Sequence, residues 1–130
     1  MDSLERFGGE GFGAAKSSMP LSPAVRAGDY IFVSGQVPLR EDGSILQGGI
    51  EVQTQLVMDK IARLLAEAGA SWDQVAKATC YLSDARDFVA FNRVYADYFP
   101  PGQRPARTAV QNSMMLDFRV EIDVIAYAPR

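Results

Sequence analysis

Ile50, Val57, Ile61, Leu64, Leu65 and Ala68 recur at helical spacing until Gly69 stops the pattern, which predicts one amphipathic helix with a single apolar stripe. Upstream, Ala24-Val25-Arg26, the turn signal Ala27-Gly28-Asp29 and the run from Tyr30 to Gln36 predict a hairpin whose second strand is mostly buried. Gly35, inside that strand, marks a close backbone approach. Asp42-Gly43 and Gly48-Gly49 bracket the loop that follows. Residues 75–82 fit a strand with Ala76, Ala78, Cys80 and Leu82 on one face and Lys77, Thr79 and Tyr81 on the other. Phe88, Phe91, Tyr95, Tyr98 and Phe99 then predict a second helix, capped by Asp84 and ended by Pro100-Pro101. Two strands close the chain, over 106–112 and 119–127. The last alternates strictly, with Val120, Ile122 and Val124 on one face and Glu121 and Asp123 on the other.

The predicted order is strand, strand, helix, strand, helix, strand, strand: an α+β domain whose two helices cover one face of the sheet. The uncovered face would carry Tyr81, Ile125 and Tyr127 beside Lys77, Thr79, Arg119, Glu121 and Asp123. That mixture is too apolar for solvent and too charged for a dry core, so burial by self-association is expected. Residues 1–18, with four glycines and little periodicity, predict a flexible leader ahead of a folded domain over 19–130.

Composition narrows the chemistry. The 130 residues, 48% hydrophobic, suit one domain with a real core. With no histidine, serine–histidine triads and histidine metal ligands are excluded, and the single Cys80 excludes an internal disulfide or a thiolate zinc site. One free cysteine fits a reducing cytoplasm. A net charge of −3 and a pI near 4.9 offer phosphate backbones no attraction, so no nucleic-acid partner is expected. No apolar run approaches the ~20 residues of a membrane span, and the opening stretch does not read as a signal peptide. Gly48-Gly49 lacks the strand–loop–helix context of a phosphate cradle. Cys80 and the stripe Phe88-Phe91-Tyr95-Phe99 read as core, and Trp72 has no assigned role.

Arg107 is the exception to an orderly pattern, because the stretch Ala106-Arg107-Thr108-Ala109-Val110 is strand-like and apolar-rich. A permanent cation there calls for an anion. Either Arg107 pairs structurally with Glu121 or Asp123, or it joins a carboxylate on a neighbouring strand to frame a small carboxylated substrate.

Five segments, in this order and spacing, resemble the reactive intermediate deaminase (Rid, YjgF-type) family. They are Pro20-Leu21-Ser22-Pro23-Ala24-Val25, Phe32-Val33-Ser34-Gly35-Gln36, Phe91-Asn92-Arg93-Val94-Tyr95, Arg104-Pro105-Ala106-Arg107-Thr108 and Val120-Glu121-Ile122-Asp123-Val124-Ile125-Ala126. The resemblance covers roughly residues 19–128, and its most specific part is the Pro-Ala-Arg segment followed by the Glu-bearing strand. It implies a chorismate-mutase-like subunit (Bacillus type) with a mixed sheet, a homotrimer with active sites between subunits, and hydrolysis of enamines and imines such as 2-aminoacrylate to 2-keto acids and ammonia. No metal or organic cofactor is implied. Carried over, Arg107 would hold the substrate carboxylate and Glu121 would activate water or shuttle its proton. Ser34, Gly35 and Asn92 would line or orient the pocket. Two positions depart from the family pattern: Leu21, commonly tyrosine, and Ala109, often cysteine. Any backbone contact at Ala109 survives, whereas Leu21 removes a hydroxyl and reshapes the pocket, so a preference for larger or more apolar imines is expected. The alternative from another class is a carboxylate-metabolite binding or regulatory protein that keeps Arg107 without turnover.

Overall fold

Period-two alternation in the strands and one apolar stripe on each helix assemble a sheet with its helical layer on one side. The structure, a computed structural model, describes residues 3–9 and 19–130. Strands β2 (Ala24–Ala27) and β3 (Tyr30–Gln36) form the expected hairpin, turning at Gly28, whose φ of 62° lies in the left-handed region that favours glycine. Helix α1 (Ile50–Glu67) leads to β4 (Val75–Leu82). A short 3-10 turn (Ala85–Asp87), with the Asp84 carboxylate accepting from the Arg86 N–H, runs into α2 (Phe88–Ala96). Then come β5 (Ala106–Gln111) and β6 (Val120–Tyr127).

The sheet is mixed. β6 is central and antiparallel to both β3 and β4, while β5 adds parallel to β4, a pairing that needs the α2 crossover. Ile31 and Val33 of β3, Ala78, Cys80 and Leu82 of β4, and Val120, Ile122 and Val124 of β6 all join one core cluster. Val57, Ile61, Leu64 and Leu65 of α1 and Phe91 and Tyr95 of α2 pack into the same cluster. Both helices therefore share one face. The other face exposes Tyr30, Phe32 and Tyr127 at 44–48%, with Tyr30 and Tyr127 rings 5.3 Å apart.

Arg26 fastens the far end. It is 4% exposed and bonds carbonyls rather than an acid: Ala128 O at 2.8 Å, Ala68 O at 3.1 Å and Gly28 O at 3.2 Å. Ala68 is the C-cap of α1, so a buried cation meets the negative end of the helix dipole.

Four expectations are corrected. Within the span expected to be a flexible leader, Glu5–Phe7 form an additional edge strand, β1, antiparallel to β2; residues 10–18 lie outside the described residues. The sheet thus has six strands in the order β1-β2-β3-β6-β4-β5, and the folded unit begins before residue 19. β5 and β6 are not neighbours, because β4 lies between them. Val75, not Ala76, is buried at the start of β4, since a register shift between Val75 and Lys77 lets Ala76 bulge outward. Arg119 is drawn away from the open face to the Asp87 carboxylate at 3.1 Å.

Candidate active site

Pairing of β4 with β5 puts Arg107 opposite Ala78 and Ala109 opposite Cys80, on the face that the helices cover. There the Arg107 guanidinium lies 4.9 Å from the Tyr95 ring centre, 5.5 Å from Phe88 and 5.8 Å from Phe91. Three aromatic faces offset part of its desolvation. Its Nη1 donates to Asn92 Oδ1 at 2.7 Å, the one side-chain bond that fixes it among the described residues. No carboxylate of the described residues meets it. A guanidinium carries five N–H donors, so most of this fork has no hydrogen-bond partner among the described residues. The expected alternative, a structural ion pair with Glu121 or Asp123, does not form. Beneath it, burial pushes the Cys80 thiol up to about 12, which keeps the sulfur protonated and unsuited to nucleophilic attack.

Glu121 stands on the opposite face. It pairs in register with Tyr81, and its side chain turns toward β3. Register slips between Val33 and Gln36, so Ser34 and Gly35 together face Asp123 in a β-bulge. The bulge clears a recess over Gly35: a Cβ there would collide with Glu121 Oε2 and lie 3.0 Å from Cδ and 3.2 Å from Cγ. Gly35 has no left-handed φ, so space, not backbone conformation, demands glycine. The close approach expected at Gly35 is real, and the approaching group is a carboxylate. Burial, then the charge of Asp123, raises the Glu121 pKa above its ordinary 4.5. Asp123 accepts from the Tyr81 hydroxyl at 3.1 Å, not from Arg119 or Lys77.

Ser34 is structural at first remove. Its hydroxyl donates to Ser22 O at 2.6 Å, and its N–H donates to Pro23 O at 2.8 Å, which fixes the segment bearing the exposed Leu21 beside β3. The sequence-derived residues therefore fall into two groups. Arg107, Asn92 and Ala109 gather on the helix face near the β5 edge; Glu121, Gly35 and Ser34 gather on the open face around β3 and β6. Within one subunit they do not meet. Phe91 and Tyr95 are core, as their helical spacing predicts, whereas Phe88 is exposed; that the same three rings also surround Arg107 is set by the position of β5 and leaves no trace in the spacing.

A caged arginine with a free fork, and a half-buried carboxylate of raised pKa in a glycine-cleared recess, are groups of the kind that can bind and act on a small anion. Comparison with known proteins gives this class a family. A model described as endoribonuclease L-PSP matches residues 13–128. The chain is 44% identical over 116 residues to a RutC family protein of Pyrococcus abyssi, covering 88% of this chain and 91% of that one. It is 37% identical over 110 residues to the 3-aminoacrylate deaminase RutC of Acinetobacter baylyi, covering 83% and 86%. The crystal structure of yeast Mmf1 superimposes with a TM-score of 0.87 at 32% identity, covering 97% and 99%. The chain belongs to the Rid/YjgF (L-PSP) family.

Proposed function

We propose that this chain hydrolyses 2-imino acids and their enamine tautomers, 2-aminoacrylate among them, at sites completed between the subunits of a chorismate-mutase-like homotrimer. The observation that carries this reading is the Arg107 fork, held by Asn92 and three aromatic rings and left without an acid partner among the described residues. Family membership and a relative named as a 3-aminoacrylate deaminase support it. So does the apolar open face, which needs a cover. Because Arg107 and Glu121 lie on opposite faces, the arginine of one subunit works with the glutamate of the next.

Arg107 takes the substrate carboxylate in its fork. An enamine first tautomerises to the imine. Glu121 then accepts a proton from water as the oxygen bonds to the imine carbon, and returns it to nitrogen. Transfer of the remaining hydroxyl proton to nitrogen, again through Glu121, lets the tetrahedral intermediate collapse: C=O forms, the C–N bond breaks, and ammonia and the 2-keto acid are released. Water is the only co-reactant, and neither a metal nor an organic cofactor takes part. The imine carbon is already electrophilic, so much of the acceleration comes from positioning and preorganised charge. Gly35 makes room for the working carboxylate, Asn92 orients Arg107, and Ser34 places the Leu21 segment along the pocket. Ala109 offers its backbone to the substrate.

The test is release of 2-keto acid from imines generated in situ by an amino-acid oxidase or dehydratase. Acceleration by the wild type that disappears in Arg107→Ala is expected. A folded oligomer that binds 2-keto acids through Arg107 but accelerates nothing would point instead to a carboxylate-binding regulator. The family description names an endoribonuclease, yet a net charge of −3 and the lack of histidine favour a small substrate over RNA.

A further inference from the structure

Ala109 follows Arg107 by two positions on β5, so both side chains point to the same face, about 6.6 Å apart along the strand. Next to Ala109 lies a recess of about 220 Å³ lined by Leu82, Ala85, Phe88, Ala109, Val110 and Gln111. Phe88 is shared: one ring borders the recess and also stands 5.5 Å from the Arg107 guanidinium. The recess therefore opens beside the carboxylate anchor. Gln111, also in the lining, is tied to Ala85, its amide oxygen accepting from the Ala85 N–H at 2.5 Å.

We propose that this recess receives the side chain of the substrate, and that the chain prefers 2-imino acids with branched or larger apolar side chains over those with a methyl or methylene group. The inference rests on the deaminase reading and adds the substrate class. Size supports it, since 220 Å³ is well below the roughly 300–1,000 Å³ of pockets for whole ligands. It also exceeds several-fold the ~30 Å³ share of one water molecule. That is room for one side chain. Chemistry supports it as well: five of the six lining residues are hydrocarbon, and the sixth already uses its amide oxygen. A hydroxyl or charged side chain would meet only the Gln111 amide N–H groups among hydrocarbon walls, whereas an aliphatic one packs against the other five residues. A long side chain at position 109 would fill the recess from the β5 wall; alanine leaves it open.

The experiment compares kcat/KM for the imine of leucine with that for the imine of alanine, each generated by an amino-acid oxidase, in wild type, Ala109→Leu and Ala85→Leu. Each buried methylene is worth about 0.8 kcal/mol, or about fourfold, so the wild type should favour the leucine imine by well over tenfold. Either substitution should collapse that ratio, and the exposed Ala85 supplies the second variant if Ala109→Leu does not assemble. Arg107-dependent turnover with no preference for the leucine imine, or a preference unmoved by both substitutions, would overturn the proposal. A chain that hydrolyses neither imine refutes the deaminase reading instead. The recess is then read by calorimetry with the two matching 2-keto acids: tighter, Ala85→Leu-sensitive binding of 4-methyl-2-oxopentanoate supports it, and affinity equal to that for pyruvate overturns it.

Discussion

Replacing Gly35 by alanine separates the role of the Glu121 carboxylate from the stability of the fold. The backbone at Gly35 is not left-handed, so alanine brings no conformational strain. What it brings is a methyl group in space held by the end of the Glu121 side chain: Oε2 in collision, Cδ at 3.0 Å and Cγ at 3.2 Å. Three consecutive atoms are affected, so rotating the carboxylate in place does not relieve the clash and the group must leave the recess. Overpacking of this kind costs about 1–3 kcal/mol. Removing a glycine from a strand returns about 0.5–1 kcal/mol, so the net loss of stability is at most about 2.5 kcal/mol. Displacing the proposed general base should cost far more in rate, on the order of 10²–10⁴-fold. Gly35→Ala should therefore lose at least about 100-fold in kcat while its urea midpoint moves modestly, with both proteins at the same concentration. Added to Glu121→Gln it should cost nothing further, because both changes remove one group. Wild-type turnover in a folded Gly35→Ala protein would refute the reasoning, since the carboxylate would then be working from somewhere other than the recess.

Three further outcomes follow from the same geometry. Glu121 titrates above its ordinary 4.5 through burial first and Asp123 second, so the acid limb of kcat/KM should lie above that value; Asp123→Asn should shift it down without restoring 4.5, and an upward shift would contradict this. Between 4.5 and the raised value, the folded state holds a proton that the unfolded chain has lost, so stability falls as pH rises through that window. Glu121→Gln should then raise the thermal midpoint at pH 7 while abolishing turnover, and a lowered midpoint would count against the assignment. Arg26→Ala removes the donors to three carbonyls, two of them in buried bonds, and should cost about 2–4 kcal/mol in urea denaturation; a loss below about 1 kcal/mol would show that water replaces the guanidinium.

Elements with one clean periodicity were legible in the sequence. The Ile50-to-Ala68 stripe and the alternation of 120–127 each matched a single secondary structure, and the Gly28 turn fixed the first hairpin. What escaped was relational. Nothing local to 106–111 says that it pairs with β4 rather than with the next strand; the α2 crossover, which makes β4 and β5 parallel, decides that. From that pairing follows the face Arg107 occupies, and hence that Glu121 does not share it. The β-bulge at Ser34-Gly35 likewise leaves no periodic trace, though it is what sets Gly35 against the Glu121 carboxylate. β1, three residues long, is too short for alternation to register. Arg107 and Gly35 stood out from the strand patterns themselves, Glu121, Asn92 and Ser34 gained their expected roles from the family resemblance, and the division of the five between two faces came only from the sheet.

That division supplies the most direct measurement. Arg107→Ala keeps Glu121, Glu121→Gln keeps Arg107, and each alone should be inactive. If the two are co-expressed in equal amounts and assemble as the proposed trimer, about three quarters of the assemblies would be mixed, and each mixed one would rebuild one of its three sites, giving about a quarter of wild-type activity. Recovery near that level means that arginine and glutamate act from different subunits. Activity no greater than the sum of the two single variants would contradict the account, because the two half-sites would then have to meet within one chain.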